Sequence, residues 1–242
     1  MSNQSIEICV VNPNSSSVIT DALQKTLSPQ APPGSSLRFI TGPPSAPPSI
    51  NDPPTSILSA SETFRHLTEL SPSMQLARHS SDAYLVACFS DHPLVGMLRH
   101  SVPDKPAIHL LEAAIIHSLS CGTKFGVLTT GSDVVPDIDA GVRKLLGGNS
   151  DRYAGTYATG LGVVELKTGD RLKVESVIKQ GAAKVAERGA DVIILGCAGM
   201  AGMEELVRQG VKEAGYSSNI SVIDGAKAGI QILSGLARSS YR

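Results

Sequence analysis

The chain has 242 residues, 41% hydrophobic and 18% charged, enough apolar material for a sizeable globular core. Lysine and arginine total 21 against 22 aspartates and glutamates, a formal charge of -1, so nothing in the overall charge recruits nucleic acid or an anionic membrane. No apolar run approaches the ~20 residues of a membrane span, and the opening MSNQSIEICVVNPN lacks the basic region of a secretion signal, so a cytoplasmic protein is expected.

Residues 6–11 (IEICVV) read as a buried strand that stops at Asn12-Pro13-Asn14. A helix is expected over 15–27, with small hydroxyl residues capping its start. Residues 37–41 read as a short strand, and the proline-rich stretch 42–54 as a loop. A helical pattern covers 55–70, and a strand at 84–87 runs into Cys88. Beyond it come a strand at 126–128 ending at Thr129, helices over 134–146 and 173–188, and a strand at 191–195 that runs into Gly196-Cys197. A last strand at 221–223 precedes a C-terminal helix.

Strands alternating with helices predict an α/β fold with parallel sheets and helices on both faces. Ligands of such folds bind at the carboxyl ends of the strands, so the residues just after each strand carry the information. Those ends repeat. The first half offers VVNPNSSS and then LVACFSD; the second offers VLTTGSD and then ILGCAGM. Asn12 and Cys88 lie 76 residues apart, Thr129 and Cys197 lie 68 apart. This predicts two similar lobes, each with a four-stranded parallel core and one thiol at its strand tips. The first lobe is expected over 1–105, completed by 221–242, and the second over 106–220.

The chain has four cysteines, Cys9, Cys88, Cys121 and Cys197, none in a CxxC pair. In a reducing compartment these are thiols. Cys9 inside a strand and Cys121 after a helix read as structural. Cys88 and Cys197 sit where a strand gives way to a loop and helix, where free N–H groups favour a thiolate. His109 and Glu112 have helical spacing but no third ligand nearby, so no metal site is expected. No P-loop and no GxGxxG after a strand is present, which argues against a nucleotide cofactor. Two thiols offered to one carbon suit racemisation: one removes a proton from one face, the other returns a proton to the opposite face. No cofactor is expected if a substrate carbonyl takes up the developing charge.

At these residues the chain resembles the aspartate/glutamate racemase superfamily, and within it the hydantoin racemase branch that includes allantoin racemases. The likeness rests on NPNSSS at 12–17, ACFSD at 87–91, LEAA at 111–114, VLTT at 127–130, LGCAGM at 195–200 and VIDG at 222–225. It implies two Rossmann-like lobes related by a pseudo-two-fold, with the active site in the cleft between them. It implies Cys88 and Cys197 as the catalytic pair, and a substrate site drawing on Asn12, Ser49, Ile50, Phe89, Ser90, Thr129, Ala198 and Gly199. It implies a homo-oligomer, with the glycine- and alanine-rich helix at 226–236 available for packing between subunits, and a place in purine catabolism. Two departures stand out. His92 occupies a position where the branch usually has proline, and it reads as a solvated loop residue in preference to one with a role in substrate choice. The proline-rich loop is longer than usual.

Phe89 and Ala198 flank the cysteines where amino-acid racemases of the superfamily carry hydroxyl or amide side chains. An aromatic ring and a methyl suit a flat uncharged ring better than a free carboxylate, which is costly to desolvate without partners. A small-molecule substrate of the 5-substituted hydantoin class is therefore expected, allantoin foremost. Another superfamily reaction (an amino-acid racemase, a decarboxylase or an isomerase) and a catalytically silent ligand-binding protein stay open. A cysteine hydrolase would need a histidine base that no motif supplies.

Overall fold

In the computed structural model, which describes residues 5–162, 165–216 and 219–239, the chain divides into two compact units. Among the described residues, the first comprises 5–88, 92–110 and 229–239; the second comprises 89–91, 111–162, 165–216 and 219–228. Residues 1–4 and 240–242, counted with the first lobe from sequence, lie outside the described residues.

The first unit is built from β1 (Ile6–Asn12), α1 (Ser17–Leu27), β2 (Ser35–Thr41), α2 (Pro53–Glu69), β3 (Ala83–Val86), α3 (Pro93–Ser101) and β4 (Ala107–His109). Its sheet is parallel with order β2-β1-β3-β4. The hand-over runs through α4 (Leu110–Cys121). The second unit then adds β5 (Phe125–Thr129), α5 (Val135–Leu146), β6 (Tyr153–Ala158), α6 (Glu165–Thr168), α7 (Arg171–Glu187), β7 (Val192–Leu195), α8 (Glu204–Glu213) and β8 (Ser221–Asp224). Its sheet is again parallel, order β6-β5-β7-β8. The last helix, α9 (Gly225–Arg238), starts in the second unit and belongs to the first from Gly229 onward.

The apolar runs visible in the sequence are the interior strands. β3, β5 and β7 are buried at every residue, and β1 from Ile8 onward, because each is paired on both edges and covered on both faces. In the second sheet Leu128, Ile193, Leu195 and Val222 pack toward Val174, Ile178 and Val185 of α7 and Val207 and Val211 of α8. Phe125, Val127, Val192 and Ile194 pack on the opposite face toward Leu111 and Ile115 of α4 and Ile138 and Val142 of α5. In the first sheet Cys9, Val11, Tyr84 and Val86 face Leu67 of α2 and Leu94 and Leu98 of α3. α9 covers part of this unit: a Cβ on Gly229 would come within 2.5 Å of Leu85, and Ser234 Oγ lies 3.0 Å from Ser35 Oγ. Gly229 and Ser234 of α9 thus serve the chain's own first sheet, while Gly235 is exposed with open space beside it.

The observed divisions depart from expectation in definite places. β4 pairs with β3 and completes the first sheet, so the hand-over falls at Leu110/Leu111 rather than near 105. Ser221–Asp224 pairs with β7, so it closes the second sheet, and the chain returns to the first unit only at Gly229. Pro53 and Pro54 are helical: they fill the first turn of α2, where a missing N–H costs nothing, behind an Asp52–Thr55 capping box. Ser16 holds the N-cap position of α1, yet no hydroxyl cap bond forms; its own N–H is taken by Asn14 Oδ1 at 2.9 Å. Among the described residues no helix is long and apolar enough to cross a membrane.

Asp191 anchors the start of the second sheet. Its carboxylate accepts from the Thr123 and Lys124 backbone N–H groups, each at 2.8 Å, and from Thr123 Oγ1 at 2.6 Å. Burial works to raise its pKa, but these hydrogen bonds from Thr123 and Lys124 outweigh it and leave the carboxyl below its ordinary range. Its stabilisation is present above the unfolded-state carboxyl pKa and is lost as pH falls through the depressed folded-state value. Asp191→Ala should cost about 1.5 kcal/mol, the lower end for bonds to a charged group because the site is partly exposed. Thermal unfolding from pH 7 down to pH 3 checks this. Native protein should lose its advantage over the variant as the pH drops, and equal melting temperatures at pH 7 would refute the anchoring role.

Candidate active site

The two cysteines singled out from sequence occupy the same station in each unit. In the first, Val11 of β1 pairs with Val86 of β3, and the Ala87 N–H donates to Val11 O at 2.8 Å. In the second, Leu128 of β5 pairs with Leu195 of β7, and the Gly196 N–H donates to Leu128 O at 2.7 Å. Asn12 and Thr129 are the last residues of β1 and β5, while Cys88 and Cys197 stand two residues beyond the end of β3 and β7. Both thiols therefore leave the carboxyl end of a central strand, one step past the same ladder bond. Both are half-buried.

Asn12 and Thr129 build these tips from within. Asn12 is fully buried, and its amide nitrogen donates to Asn14 Oδ1 at 3.0 Å, Ser16 O at 2.9 Å and Thr20 Oγ1 at 3.1 Å, while its Oδ1 accepts from the Asn14 N–H. The two amide hydrogens are shared among these three acceptors while the oxygen takes an N–H, a combination of donors and acceptor that a carboxamide supplies and a carboxylate does not. Gly42 closes against this turn; a Cβ there would lie 2.9 Å from the carbonyl oxygens of Pro13 and Asn14. Thr129 is likewise buried and donates its hydroxyl to Gly196 O at 3.0 Å. Gly196 is required there, since a Cβ would come within 2.7 Å of Val127 and 3.0 Å of Leu128 O. Both side chains are engaged in shaping the tip that carries the thiol.

Around Cys197 the chain turns into a short 3-10 segment, Ala198–Met200, with Cys197 as its N-cap. The Gly199 N–H donates to Cys197 Sγ at 3.4 Å, and a donor aimed at sulfur favours negative charge on it. Ala198 is half-exposed beside it and Gly199 is buried. After Cys88 the chain crosses to the second unit for three residues. Phe89 packs against the cluster of Leu111, Ala114 and Ile138, and Asp91 is ion-paired with Lys144 at 2.6 Å. Ser90 is half-exposed. Ser49 is exposed and bonds Asn51 Oδ1 at 2.8 Å, and Ile50 is half-buried, both in the loop before α2.

Residues 8–233 match the Asp/Glu/Hydantoin racemase family. The chain belongs to that family. A Schizosaccharomyces pombe protein of uncharacterised function is 36% identical over 235 residues, 96% of this chain and 92% of its own length. A hydantoin racemase of Paenarthrobacter aurescens is 28% identical over 239 residues, covering 98% of this chain and 93% of its own. Among solved structures, an allantoin racemase from Pseudomonas fluorescens aligns with a TM-score of 0.81 at 27% identity, across 96% of this chain and 91% of that one. The protein is an isomerase of the racemase type.

Two residues of this racemase differ from their reading in sequence. His92 is not a solvated loop histidine; it is 1% exposed. It caps α3, its Nδ1 accepting from the Leu94 N–H and its Nε2 meeting Ser59 Oγ at 2.8 Å. A ring with one acceptor and one donor nitrogen satisfies both partners without exposing either. The second is Asp224, quoted in the VIDG stretch but not singled out. It ends β8 in register with Leu195, and it is nine-tenths buried. The strand-end rule that picked out the cysteines points to it equally. His109 ends β4 rather than lying on a helix, and among the described residues no group of three metal-ligating side chains forms.

The remaining cysteines separate by environment. Cys9 is fully buried, and burial pushes its thiol up to about 12, the Arg38 charge only partly offsetting this. Cys121 is exposed. Iodoacetamide at pH 8 should therefore label Cys88, Cys121 and Cys197 in the native racemase and leave Cys9 intact until unfolding. Peptide mapping reads the outcome, and modification of Cys9 at the pace of the others would contradict this placement.

Proposed function

We propose that this racemase acts on a 5-substituted hydantoin, allantoin being the leading natural substrate, and that Cys88 and Cys197 are its acid and base. The observation that carries the reading is the matched station of the two thiols, each one step past the same ladder bond at the tip of a central strand. A racemase needs a proton-transfer group for each face of the carbon, and two equivalent groups let either enantiomer serve as substrate.

In one direction a thiolate takes the α-proton. The C–H electron pair moves onto the adjacent carbonyl as an enolate, and the other cysteine donates its S–H proton to the opposite face. The roles exchange for the reverse reaction. Unperturbed thiols titrate near pH 8.5, so both protonation states lie within reach of neutral pH. The Gly199 N–H on Cys197 Sγ assists the base form. This chemistry calls for neither metal nor pyridoxal.

The side chains next to the thiols favour a neutral ring as substrate. Phe89 and Ala198 bring an aromatic face and a methyl group, neither of which compensates a desolvated carboxylate. The hydantoin α-hydrogen is also easier to remove than that of an amino-acid zwitterion, whose carbanion would sit beside a carboxylate.

Loss of optical rotation tests this across a panel of enantiopure hydantoins, allantoin and free amino acids. Hydantoins should racemise and amino acids should not, and Cys88→Ser or Cys197→Ser should each lower the rate by about 10²–10⁴. Turnover of the amino acids in preference to every hydantoin would reverse the substrate assignment.

A further inference from the structure

We propose that Asp224 is a third catalytic group of this site: a neutral carboxylic acid whose Oδ2–H donates a hydrogen bond to the substrate carbonyl oxygen as it becomes the enolate oxygen. This rests on the racemase reading of the Cys197 strand tip.

The placement is set by the sheet. Asp224 is the last residue of β8 and pairs with Leu195 of β7. Side chains alternate along a strand, so Asp224 shares its face with Val222, which packs with Ile193 and Leu195. Cys197 follows Leu195 by two residues in extended backbone (φ -151, ψ 136) and packs partly against the same cluster. Asp224 and Cys197 therefore lie on one face of adjacent strand tips, at the end of the sheet where α/β folds take their ligands.

The two oxygens of Asp224 have different fates. Oδ1 accepts from the backbone N–H groups of Ala226 at 2.8 Å and Lys227 at 3.3 Å, holding the first turn of α9. Oδ2 is shut off from water and has no hydrogen-bond partner. A buried polar atom left in this way is costly, and a partner supplied by the substrate would recover that cost. Lys227 Nζ is itself ion-paired with Glu204. Burial raises the Asp224 carboxyl above its ordinary range, opposed by the Ala226 and Lys227 N–H groups, and the Glu204 charge adds to the rise. That rise favours the protonated form, and a proton on Oδ2 leaves Oδ1 to accept its two N–H groups.

No bond to this proton breaks in the reaction. The α-proton goes to a cysteine, its electron pair moves to the carbonyl oxygen, and the Oδ2–H bond persists as a hydrogen bond that strengthens as negative charge grows there. An interaction stronger in the transition state than in the ground state raises kcat rather than lowering KM.

Two substitutions separate this role from helix capping. Serine, asparagine and aspartate cap equally well, so Asp224→Ser keeps the α9 turn but removes the second oxygen. Asp224→Asn keeps the cap and sets an NH2 donor where Oδ2–H stood. Racemisation of the hydantoin that the native enzyme turns over fastest is measured, with melting temperature as the control on folding. D224S should lose about 10²–10³ in kcat with little change in KM or melting temperature, and D224N should lose less than about tenfold. D224S with native kcat would overturn the proposal, and so would D224N as impaired as D224S, since Oδ2 would then act as an acceptor. A native enzyme inactive on the whole panel would take down the functional reading and this inference with it. Native activity with undiminished D224S would sink this inference alone.

Discussion

Both halves of this protein depend on the register between two interior parallel strands. In the first unit Val11 opposes Val86, and in the second Leu128 opposes Leu195. A one-residue slip in either pair would turn every side chain to the other face and carry the thiol away with it. The hydrophobic faces fix the register: in β5 and β7, Leu128, Ile193 and Leu195 go to one cluster while Val127, Val192 and Ile194 go to the other. Packing in the core thus determines where sulfur emerges several ångströms away.

The strand tips are then made rigid by groups that hydrogen-bond within the tips themselves. Asn12 spends its amide on its own turn, and Thr129 spends its hydroxyl on Gly196. Close approaches at Gly42 and Gly196 leave no room for a side chain on either side of these residues. Proton transfer from carbon tolerates little misplacement of the base, and a tip that is hydrogen-bonded from behind holds its thiol without relying on the substrate to order it.

What could be read from the amino-acid order follows the same physics. The interior strands announced themselves because residues such as Ile8 to Val11 and Val192 to Leu195 are buried on both faces, which leaves an unbroken apolar run. β4 has only three residues, and β6, YAGTYA, is mostly small and polar along an edge, so neither produced a pattern. Missing β4 shifted the expected boundary toward the N-terminus, and assigning 221–223 to the first lobe shifted its return. The cysteines were legible from their place after strands. Asp224 occupied an equivalent place, but its significance lies in one oxygen left without a partner, which depends on three-dimensional packing. The burial of His92 was equally hidden, because its partner Ser59 is distant in sequence.

The central claim is that the two thiols serve opposite faces of one carbon. Solvent exchange tests it most directly, since it sees deprotonation without requiring racemisation. Each pure enantiomer of the preferred hydantoin is incubated in D2O with Cys88→Ser or Cys197→Ser, and loss of the α-proton signal is followed by NMR. Each variant should exchange one enantiomer and leave the other largely untouched, with opposite preferences for the two variants. Equal exchange of both enantiomers by either variant would mean that one group serves both faces, and the two-thiol account would fail.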